Sequence, residues 1–274
     1  MTTIMDKFSL AGRTALVTGG AGLLGRQFTQ ALGEAGAKVV VADLDFKLAD
    51  AHAGKLADSG IDALPVQVNV TDPASVSGMV ASAANHFGSL DVIVNSAALD
   101  PKFDPENVDA QSGNAFETYP LEAWQKAIDV NLTGMFLACQ AAARQMVVQD
   151  YGKIINICST YGLVGPDQRL YERPDGPRQY KPVYYTVSKA GVLGLTKYLA
   201  TYYAGTNIRV NALTPGGVYN QHDETFLKAY SSRTVIGRMA HQDEMSGAIV
   251  FLASEASSYM TGANLVVDGG WTAW

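Results

Sequence analysis

Short runs of β-branched and aliphatic residues alternate with longer segments of helical pattern along most of this chain. Such alternation is typical of βαβ units, in which parallel strands are buried on both faces by the helices that connect them. We predict strands at residues 14–18, 38–42, 63–68, 92–95, 153–158, 208–212 and 264–267. The predicted fold is therefore α/β, a Rossmann-like, doubly wound parallel sheet of about seven strands in a single domain over residues 1–274.

Helical patterns follow most of these strands and supply the outer layers of the predicted fold. One start signal is clear, because Asp72 suits an N-cap and Pro73 suits the first helical position. The predicted helices are residues 23–35, 46–59, 73–87, 121–149 and 183–204, with a short pair within 223–253.

Two segments interrupt this rhythm, residues 99–120 and 165–182, and they hold seven of the ten prolines. Proline is excluded from helix interiors and central strands, so we predict irregular insertions there. Both segments follow strands, which places them at the carboxyl edge of the sheet, where doubly wound folds bind ligands. Long loops at that edge usually carry function, although both segments could simply decorate the surface.

Composition excludes several classes of protein. Hydrophobic residues make up 47% of the chain and charged residues 17%, which favours a compact protein over a disordered one. The formal net charge of −6 provides no basic field for nucleic acid or an acidic membrane. Cys139 and Cys158 lack metal-site spacing, and we see neither a secretory signal nor the roughly 20 apolar residues of a membrane span. We expect a cytoplasmic protein without a metal, nucleic-acid or membrane partner.

A glycine-rich turn, Thr18 to Gly25, lies between the first predicted strand and helix. Gly19, Gly22 and Gly25 permit a tight turn in which backbone N–H groups approach a pyrophosphate. Asp43 ends the second strand, where a carboxylate accepts hydrogen bonds from ribose hydroxyls and repels a 2′-phosphate. The pair of features predicts NAD rather than NADP as the cofactor. Alternatively, Asp43 caps the next helix.

Residues at other strand ends extend the predicted cofactor site. Asn69 follows the third strand and could bind adenine, whereas the turn after the sixth strand suits the nicotinamide end. Both features also have local explanations. The asparagine could simply satisfy nearby backbone groups, and the segment after the sixth strand could be a plain turn. The predicted cofactor-binding residues are Gly19, Gly22, Leu24, Asp43, Asn69, Val70, Asn95, Ala97, Tyr185, Lys189, Pro215, Gly216 and Val218.

Tyr185 and Lys189 are four residues apart and so share one face of a predicted helix. Lowering the pKa of a phenol from about 10 to about 7 requires roughly 4 kcal/mol. One ammonium at about 4 Å supplies that order of energy at an effective dielectric constant of about 20. The pair is therefore predicted to transfer a proton to or from an alcohol or carbonyl.

With these features, the chain resembles the short-chain dehydrogenase/reductase superfamily, and its short dehydrogenase branch in particular. The resemblance rests on the glycine turn, the Tyr185 and Lys189 pair, and further motifs at residues 95–98, 130–134, 159, 211–216 and 266–270. It implies that Tyr185 is the acid/base, that Ser159 orients the reacting oxygen, that Lys189 binds the nicotinamide ribose and lowers the tyrosine pKa, and that Asn131 holds a relay water. It also implies a homotetramer, with the predicted helices 121–149 and 183–204 at one interface.

Some features depart from that family. The glycine spacing, Thr-Gly-x-x-Gly-x-x-Gly, is typical of the longer sugar-nucleotide epimerase branch. Ala98 and Asn69 replace a usual glycine and a usual aspartate. The segment 165–182 lengthens the interval between Ser159 and Tyr185.

Opposite charges mark the two insertions, since 165–182 has a small positive excess and 99–120 a clear negative one. The insertions could pair as a lid, or arginines could remain free to grip a carboxylate or phosphate. Tyrosines nearby suit a polyhydroxylated small molecule such as a sugar, a sugar acid or a nucleotide-linked sugar. The predicted substrate-binding residues are Ser159, Tyr161, Arg169, Arg173, Arg178 and Tyr185.

The function predicted from these features is NAD-dependent interconversion of a secondary alcohol and a ketone by hydride transfer. The glycine spacing leaves open a sugar-nucleotide epimerase or dehydratase. A non-catalytic NAD-sensing protein is a third possibility, against which the intact Ser159, Tyr185 and Lys189 argue.

Overall fold

The computed structural model describes residues 3–100, 114–172 and 179–274. Its centre is a sheet of seven strands in the order β3-β2-β1-β4-β5-β6-β7, with every neighbouring pair parallel. This topology confirms the predicted fold class. The strands are β1 (Thr14–Thr18), β2 (Lys38–Asp43), β3 (Ala63–Gln67), β4 (Val92–Asn95), β5 (Gly152–Ile157), β6 (Ile208–Pro215) and β7 (Asn264–Val267).

The helices lie close to their predicted positions. As expected, Asp72 caps the third helix by accepting a hydrogen bond from the Ala74 N–H, and Pro73 occupies its first turn. The helices are α1 (Leu23–Glu34), α2 (Phe46–Asp58), α3 (Pro73–Phe87), α4 (Leu121–Ile128), α5 (Gly134–Val148), α6 (Val183–Tyr202), α7 (Glu224–Ser231) and α8 (Ser246–Ala253).

The prediction of one uninterrupted helix over 121–149 is wrong in detail. A π-helical segment, Asp129–Thr133, separates α4 from α5. Within it, the buried Asn131 side chain hydrogen-bonds the backbone of Leu99 on the loop that follows β4. Single π turns inside α-helices often occur at functional sites, and this one fixes a predicted site residue against a neighbouring loop.

Alternating side chains of the central strands enter two different cores, as a doubly wound sheet requires. Leu16 of β1 packs in a core with residues of α3, α5 and α6. Its neighbours Ala15 and Val17 pack in a second core with residues of α1, α2 and α8. The sheet is thereby covered on both faces.

The strand order reverses between β1 and β4, and this switch point defines the ligand edge. In open parallel sheets, the crevice at the carboxyl ends of the strands beside such a switch point is where ligands bind. The glycine turn follows β1, Ser159 follows β5 and the 216–218 turn follows β6, so all three stand at that edge. In the described parts of the chain, every helix is too short or too polar to cross a bilayer.

Candidate active site

The glycine turn forms a cradle that has no room for side chains. Gly19 has a φ of +64°, and a Cβ on Gly19 would stand 2.9 Å from the Cα of Ala97. A Cβ on Gly25 would stand only 2.0 Å from the carbonyl oxygen of Gly19. Thr18 Oγ1 accepts hydrogen bonds from the N–H groups of Ser96 (3.1 Å) and Ala97 (3.2 Å), which ties the cradle to the end of β4.

The N-terminus of α1 faces this cradle. Its N-cap residue is Gly22, which has no side chain to accept hydrogen bonds from the first N–H groups of the helix. The first N–H groups of a helix have no partner within the helix, and they suit an anion such as a pyrophosphate. The residues present therefore fit a dinucleotide whose phosphates lie against backbone rather than against basic side chains.

Asp43 stands beside the cradle at the end of β2. Its Oδ2 accepts a hydrogen bond from the Ala21 N–H (3.1 Å), and its Oδ1 accepts one from the Asp45 N–H (3.2 Å). The side chain of Asp45, and not that of Asp43, caps α2 by accepting from Lys47 and Leu48. The helix-capping alternative for Asp43 is thus excluded, and its carboxylate is attached to the glycine turn.

Two predicted cofactor asparagines use their side chains locally. Asn69 Oδ1 accepts hydrogen bonds from the Thr71 N–H (3.1 Å) and the Thr71 hydroxyl (2.8 Å). Asn95 is buried, and its Nδ2 donates to Asn156 Oδ1 at 2.8 Å. The local explanation accounts for these contacts, and Asn95 has only its backbone at the ligand edge.

Tyr185 and Lys189 share one face of α6, and both are buried. Lys189 Nζ donates a hydrogen bond to the carbonyl oxygen of Ile157 (2.9 Å) and lies 5.9 Å from the centroid of the Tyr185 ring. Burial lowers the pKa of Lys189. The lysine is therefore anchored at the end of β5, with its ammonium one helical turn from the phenol.

The expected depression of the Tyr185 pKa by Lys189 is wrong for this structure. Burial raises the pKa of Tyr185 well above its usual value, and the negative charge of Asp100 raises it further. A hydrogen bond with Ser159 acts in the opposite direction. Desolvation of the phenolate is the largest cause of this rise, and Lys189, whose ammonium lies 5.9 Å from the ring centroid, does not offset it.

Ser159 and Asn131 each hydrogen-bond a neighbouring segment of the candidate site. Ser159 begins a short 3₁₀ turn after β5, and its Oγ accepts a hydrogen bond from the Tyr161 N–H (3.2 Å). Asn131 Oδ1 accepts from the Leu99 N–H (2.7 Å), and its Nδ2 donates to the Leu99 carbonyl (3.1 Å) and to Ser188 Oγ (3.3 Å). The Asn131 side chain is thus occupied with positioning the β4 loop against α6.

An aromatic wall surrounds Tyr185, and half of it was not predicted. Tyr161 packs edge-on against Tyr185 (ring centroids 6.5 Å apart) and against Trp271 (6.4 Å). Trp271 stacks on Tyr230 at 4.3 Å, and Tyr171 Oη donates to Tyr161 Oη at 3.2 Å. Tyr230 and Trp271 lie far along the chain from the recognised motifs, and only the tertiary fold brings them to the site.

Tyr230 also connects this wall to the predicted nicotinamide end. Its hydroxyl oxygen accepts a hydrogen bond from the Gly217 N–H at 2.5 Å. Gly217 follows the predicted residues Pro215 and Gly216, and Val218 forms an isolated bridge with Ala240. The turn after β6 is therefore held by a side chain from α7, which is adjacent to the substrate wall.

The positive insertion is attached through one carboxylate to Arg233, which follows α7 and donates to the carbonyl oxygen of Ala229 in that helix. Asp167 accepts a two-point ion pair from Arg169 and a second ion pair from Arg233 at 2.7 Å. The guanidinium of Arg169 is thereby engaged within its own segment, and its side chain is largely exposed. Arg173 and Arg178 lie outside the described residues, so their predicted role stays a prediction.

Lys181 is a site residue that the predicted set omitted. Its ammonium lies 4.1 Å from the centroid of the Tyr185 ring and forms an ion pair with Asp100. Lys181 also lines a cavity of about 410 Å³ between the 165–182 segment and α6. The pair joins the two insertions, as the lid hypothesis expects.

Comparisons with known proteins agree with this geometry. A family model described as Enoyl-(Acyl carrier protein) reductase matches residues 20–272. The cis-4-hydroxycyclohexanecarboxylate dehydrogenase of Sinomonas cyclohexanicum is 38% identical over 97% of this chain and 98% of its own length. The 5-keto-D-gluconate 5-reductase of Escherichia coli is 34% identical over 97% of each.

Solved structures show the same fold over the whole chain. A gluconate 5-dehydrogenase from Burkholderia cenocepacia, in complex with NADP and tartrate, superimposes with a TM-score of 0.85 at 30% identity, covering 99% of this chain and 100% of that one. The ordered motifs, the sheet topology and these similarities lead to one conclusion. The chain belongs to the short-chain dehydrogenase/reductase superfamily of oxidoreductases.

Proposed function

We propose that this protein is an NAD-dependent dehydrogenase that interconverts a secondary alcohol and a ketone on a small polyhydroxylated or cyclic molecule. The observation that carries the proposal is the buried Tyr185, one helical turn from Lys189 and with Ser159 among the groups that act on its pKa, at the same sheet edge as the glycine cradle. When bound there, a nicotinamide cofactor supplies the redox chemistry by exchanging a hydride.

Each residue has a distinct task in this proposal. Tyr185 accepts the hydroxyl proton in oxidation and returns it in reduction. Ser159 hydrogen-bonds the reacting oxygen and orients it toward Tyr185. Lys189, fixed by the Ile157 carbonyl, holds the nicotinamide ribose. Asn131 keeps the β4 loop and α6 in register, and its predicted relay water stays part of the proposal.

NAD is the proposed cofactor because Asp43 places a carboxylate beside the glycine turn. There it accepts hydrogen bonds from the adenosine ribose and repels a 2′-phosphate. The Burkholderia gluconate 5-dehydrogenase was solved with NADP, so the choice of cofactor has to be tested for this chain.

The proposed substrate class rests on the wall around Tyr185 and on the relatives. Tyrosine hydroxyls and aromatic faces suit a ring or polyol with several hydroxyl groups. Relatives named for 4-hydroxycyclohexanecarboxylate, 5-keto-D-gluconate and D-threitol indicate small alcohols, two of them with a carboxylate. We therefore favour hydroxy acids and sugar acids over long apolar substrates.

A turnover screen tests this function. Polyols, sugar acids and cyclic hydroxy acids are each incubated with NAD or NADP, and the absorbance of the reduced cofactor is followed. We expect net formation of NADH with at least one member. Product without net reduction would favour an epimerase, and cofactor binding without any turnover would favour a sensor.

A homotetramer is part of the same proposal. Val187, Tyr198 and Tyr202 of α6 are large apolar or aromatic side chains that stand exposed on the single chain, as Leu121 of α4 does. Exposed apolar side chains grouped on one side of a protein are typical of an interface between subunits. Light scattering coupled to size-exclusion chromatography measures the assembly directly.

A further inference from the structure

The ammonium of Lys181 faces the ring of Tyr185, the proposed catalytic residue. It lies 4.1 Å from the Tyr185 ring centroid, and its side chain is only 11% exposed. By contrast, Lys189 is farther from that ring and is committed to the Ile157 carbonyl. Lys181 is thus the nearer of these two cations to the catalytic phenol.

The backbone of Lys181 is fixed from both sides by one residue of the same insertion. Its N–H donates to Gln168 Oε1 at 2.9 Å, and its carbonyl accepts from Gln168 Nε2 at 3.5 Å. The ends of the 165–182 segment are therefore joined at Lys181. This arrangement holds the lysine at the start of α6, four residues before Tyr185.

The partner of Lys181 is much easier to remove than the lysine itself. The side chain of Asp100 is 54% exposed, so its carboxylate can return to water at little cost. A largely buried ammonium that lost its partner would be left uncompensated, which is costly. A substrate carboxylate that entered beside Tyr185 would satisfy the ammonium in place of Asp100.

Arg169 is less suited than Lys181 to bind a substrate carboxylate. Its guanidinium makes two hydrogen bonds to Asp167, both at 2.8 Å, and most of its side chain faces solvent. Asp167 also joins Arg233, so freeing Arg169 would disturb the attachment of the insertion to α7. The geometry favours the lysine.

We propose that Lys181 is the specificity-determining cation of this enzyme and selects alcohols that carry a carboxylate, by exchanging Asp100 for the substrate anion. The inference rests on the proposed function, since it concerns the substrate of the same Tyr185 site. It assigns substrate recognition to a residue outside the set predicted from the sequence.

Two matched pairs of probes test the proposal, 4-hydroxycyclohexanecarboxylate with its carboxamide and D-gluconate with D-glucitol. The variants are Lys181→Met, Lys181→Arg, Asp100→Asn and, as a control, Lys197→Met, which removes an exposed lysine from α6. KM and kcat are measured for each probe, and dissociation constants are measured by calorimetry on the cofactor-loaded protein.

We expect Lys181→Met to weaken carboxylate binding and raise its KM by about 10- to 100-fold, with changes below about threefold for the neutral partner. Lys181→Arg should retain most of the preference. Asp100→Asn should strengthen carboxylate binding a few-fold, because the competing carboxylate is gone. The Lys197→Met control should match the unmodified protein.

The possible failures are distinguishable. Turnover of neutral alcohols without a carboxylate preference in either pair would overturn the inference and leave the proposed function standing. Equal losses on charged and neutral probes in Lys181→Met, or weaker carboxylate binding in Asp100→Asn, would also overturn it. Carboxylate binding that depends on Lys181 without any turnover would support the inference and refute the proposed function.

Discussion

The proposed cofactor side and the proposed substrate side of the candidate active site are built in different ways. The cofactor side is mostly backbone from neighbouring elements, where the turn after β1 packs against the end of β4 and against Asp43 at the end of β2. The substrate side is a set of side chains drawn from distant segments, among them Asp100, Lys181 and Trp271. A local motif can specify the first, whereas only the completed fold assembles the second.

The largest expected effect is a loss of turnover on substitution of Tyr185, which lies between the two sides. Tyr185→Phe keeps the ring packed against Tyr161 but removes the proposed acid/base, so turnover should fall by about 10²- to 10⁴-fold while cofactor affinity changes little. Steady-state kinetics and a cofactor titration measure the two quantities.

Tyr184→Phe is the matched control, because Tyr184 is the adjacent buried tyrosine and lacks the four-residue spacing to Lys189. It should be much milder. Comparable losses in both variants would remove Tyr185 from its assigned role.

A methyl group in the glycine cradle tests whether the cofactor side depends on backbone approach. In Gly25→Ala the new Cβ would meet the Gly19 carbonyl oxygen at 2.0 Å, so the turn has to move. We expect the dissociation constant of NADH to rise by about 10- to 100-fold, since ångström-scale misplacement carries costs of this order.

Gly54→Ala provides the comparison, because a Cβ there meets nothing within 4 Å. Helix-interior alanine is favoured over glycine, so this variant should bind cofactor normally and be slightly more stable. Fluorescence titration of NADH, with thermal unfolding to check folding, separates the two variants. Unchanged affinity in Gly25→Ala would show that the cradle does not hold the phosphates.

Removal of the Asp43 carboxylate should have a smaller effect, which is on the preference for NAD over NADP. Asp43→Ala removes both the ribose acceptor and the repulsion of a 2′-phosphate, and we expect the ratio of kcat/KM for NAD over NADP to fall by about 10-fold, or about 1.4 kcal/mol. Asp50→Ala removes one exposed acid from α2 and should leave the ratio unchanged. If the unmodified enzyme prefers NADP, the argument from Asp43 is wrong.

The sequence predicts the sheet well because its signals are local. Buried β-branched runs and glycine turns depend on near neighbours, so β1, β4 and β7 fall at their predicted bounds and the other strands differ only at their ends. The break between α4 and α5 was missed, because the π turn depends on the contact between Asn131 and Leu99. The helical periodicity of the sequence gives no indication of that contact.

The substrate side was predicted less completely for the same reason. The charges of the two insertions pointed to an ion pair, but the residues that form it, Asp100 and Lys181, stand 81 positions apart. Trp271 follows a recognised motif at the C-terminal end, yet nothing local places it against Tyr161. The raised pKa of Tyr185 depends on burial, which the spacing to Lys189 does not reveal.

The smallest expected effect is a loss of thermal stability when the contact that attaches the 165–182 insertion is weakened. The guanidinium groups of Arg169 and Arg233 hold the pKa of Asp167 well below its usual range. A carboxyl group whose pKa is lower in the folded protein stabilises the fold above its unfolded pKa, about 3.9, and this stabilisation is lost as the pH falls through the folded pKa. Arg233→Gln should therefore lower the Tm by about 1–4 °C at neutral pH, a deficit that persists to about pH 5 and shrinks below about pH 4.

Arg169→Gln is the control for that contact. Arg169 lies two positions from Asp167 and is largely exposed, so its pair is screened by water and can persist in the unfolded chain. Arg233 is half-buried and joins α7 to the insertion across 66 positions, so its loss should cost more stability. Thermal unfolding of both variants between pH 3 and pH 8 decides the matter. A larger deficit in Arg169→Gln, or a deficit in Arg233→Gln that grows in acid, would mean that the insertion is held elsewhere.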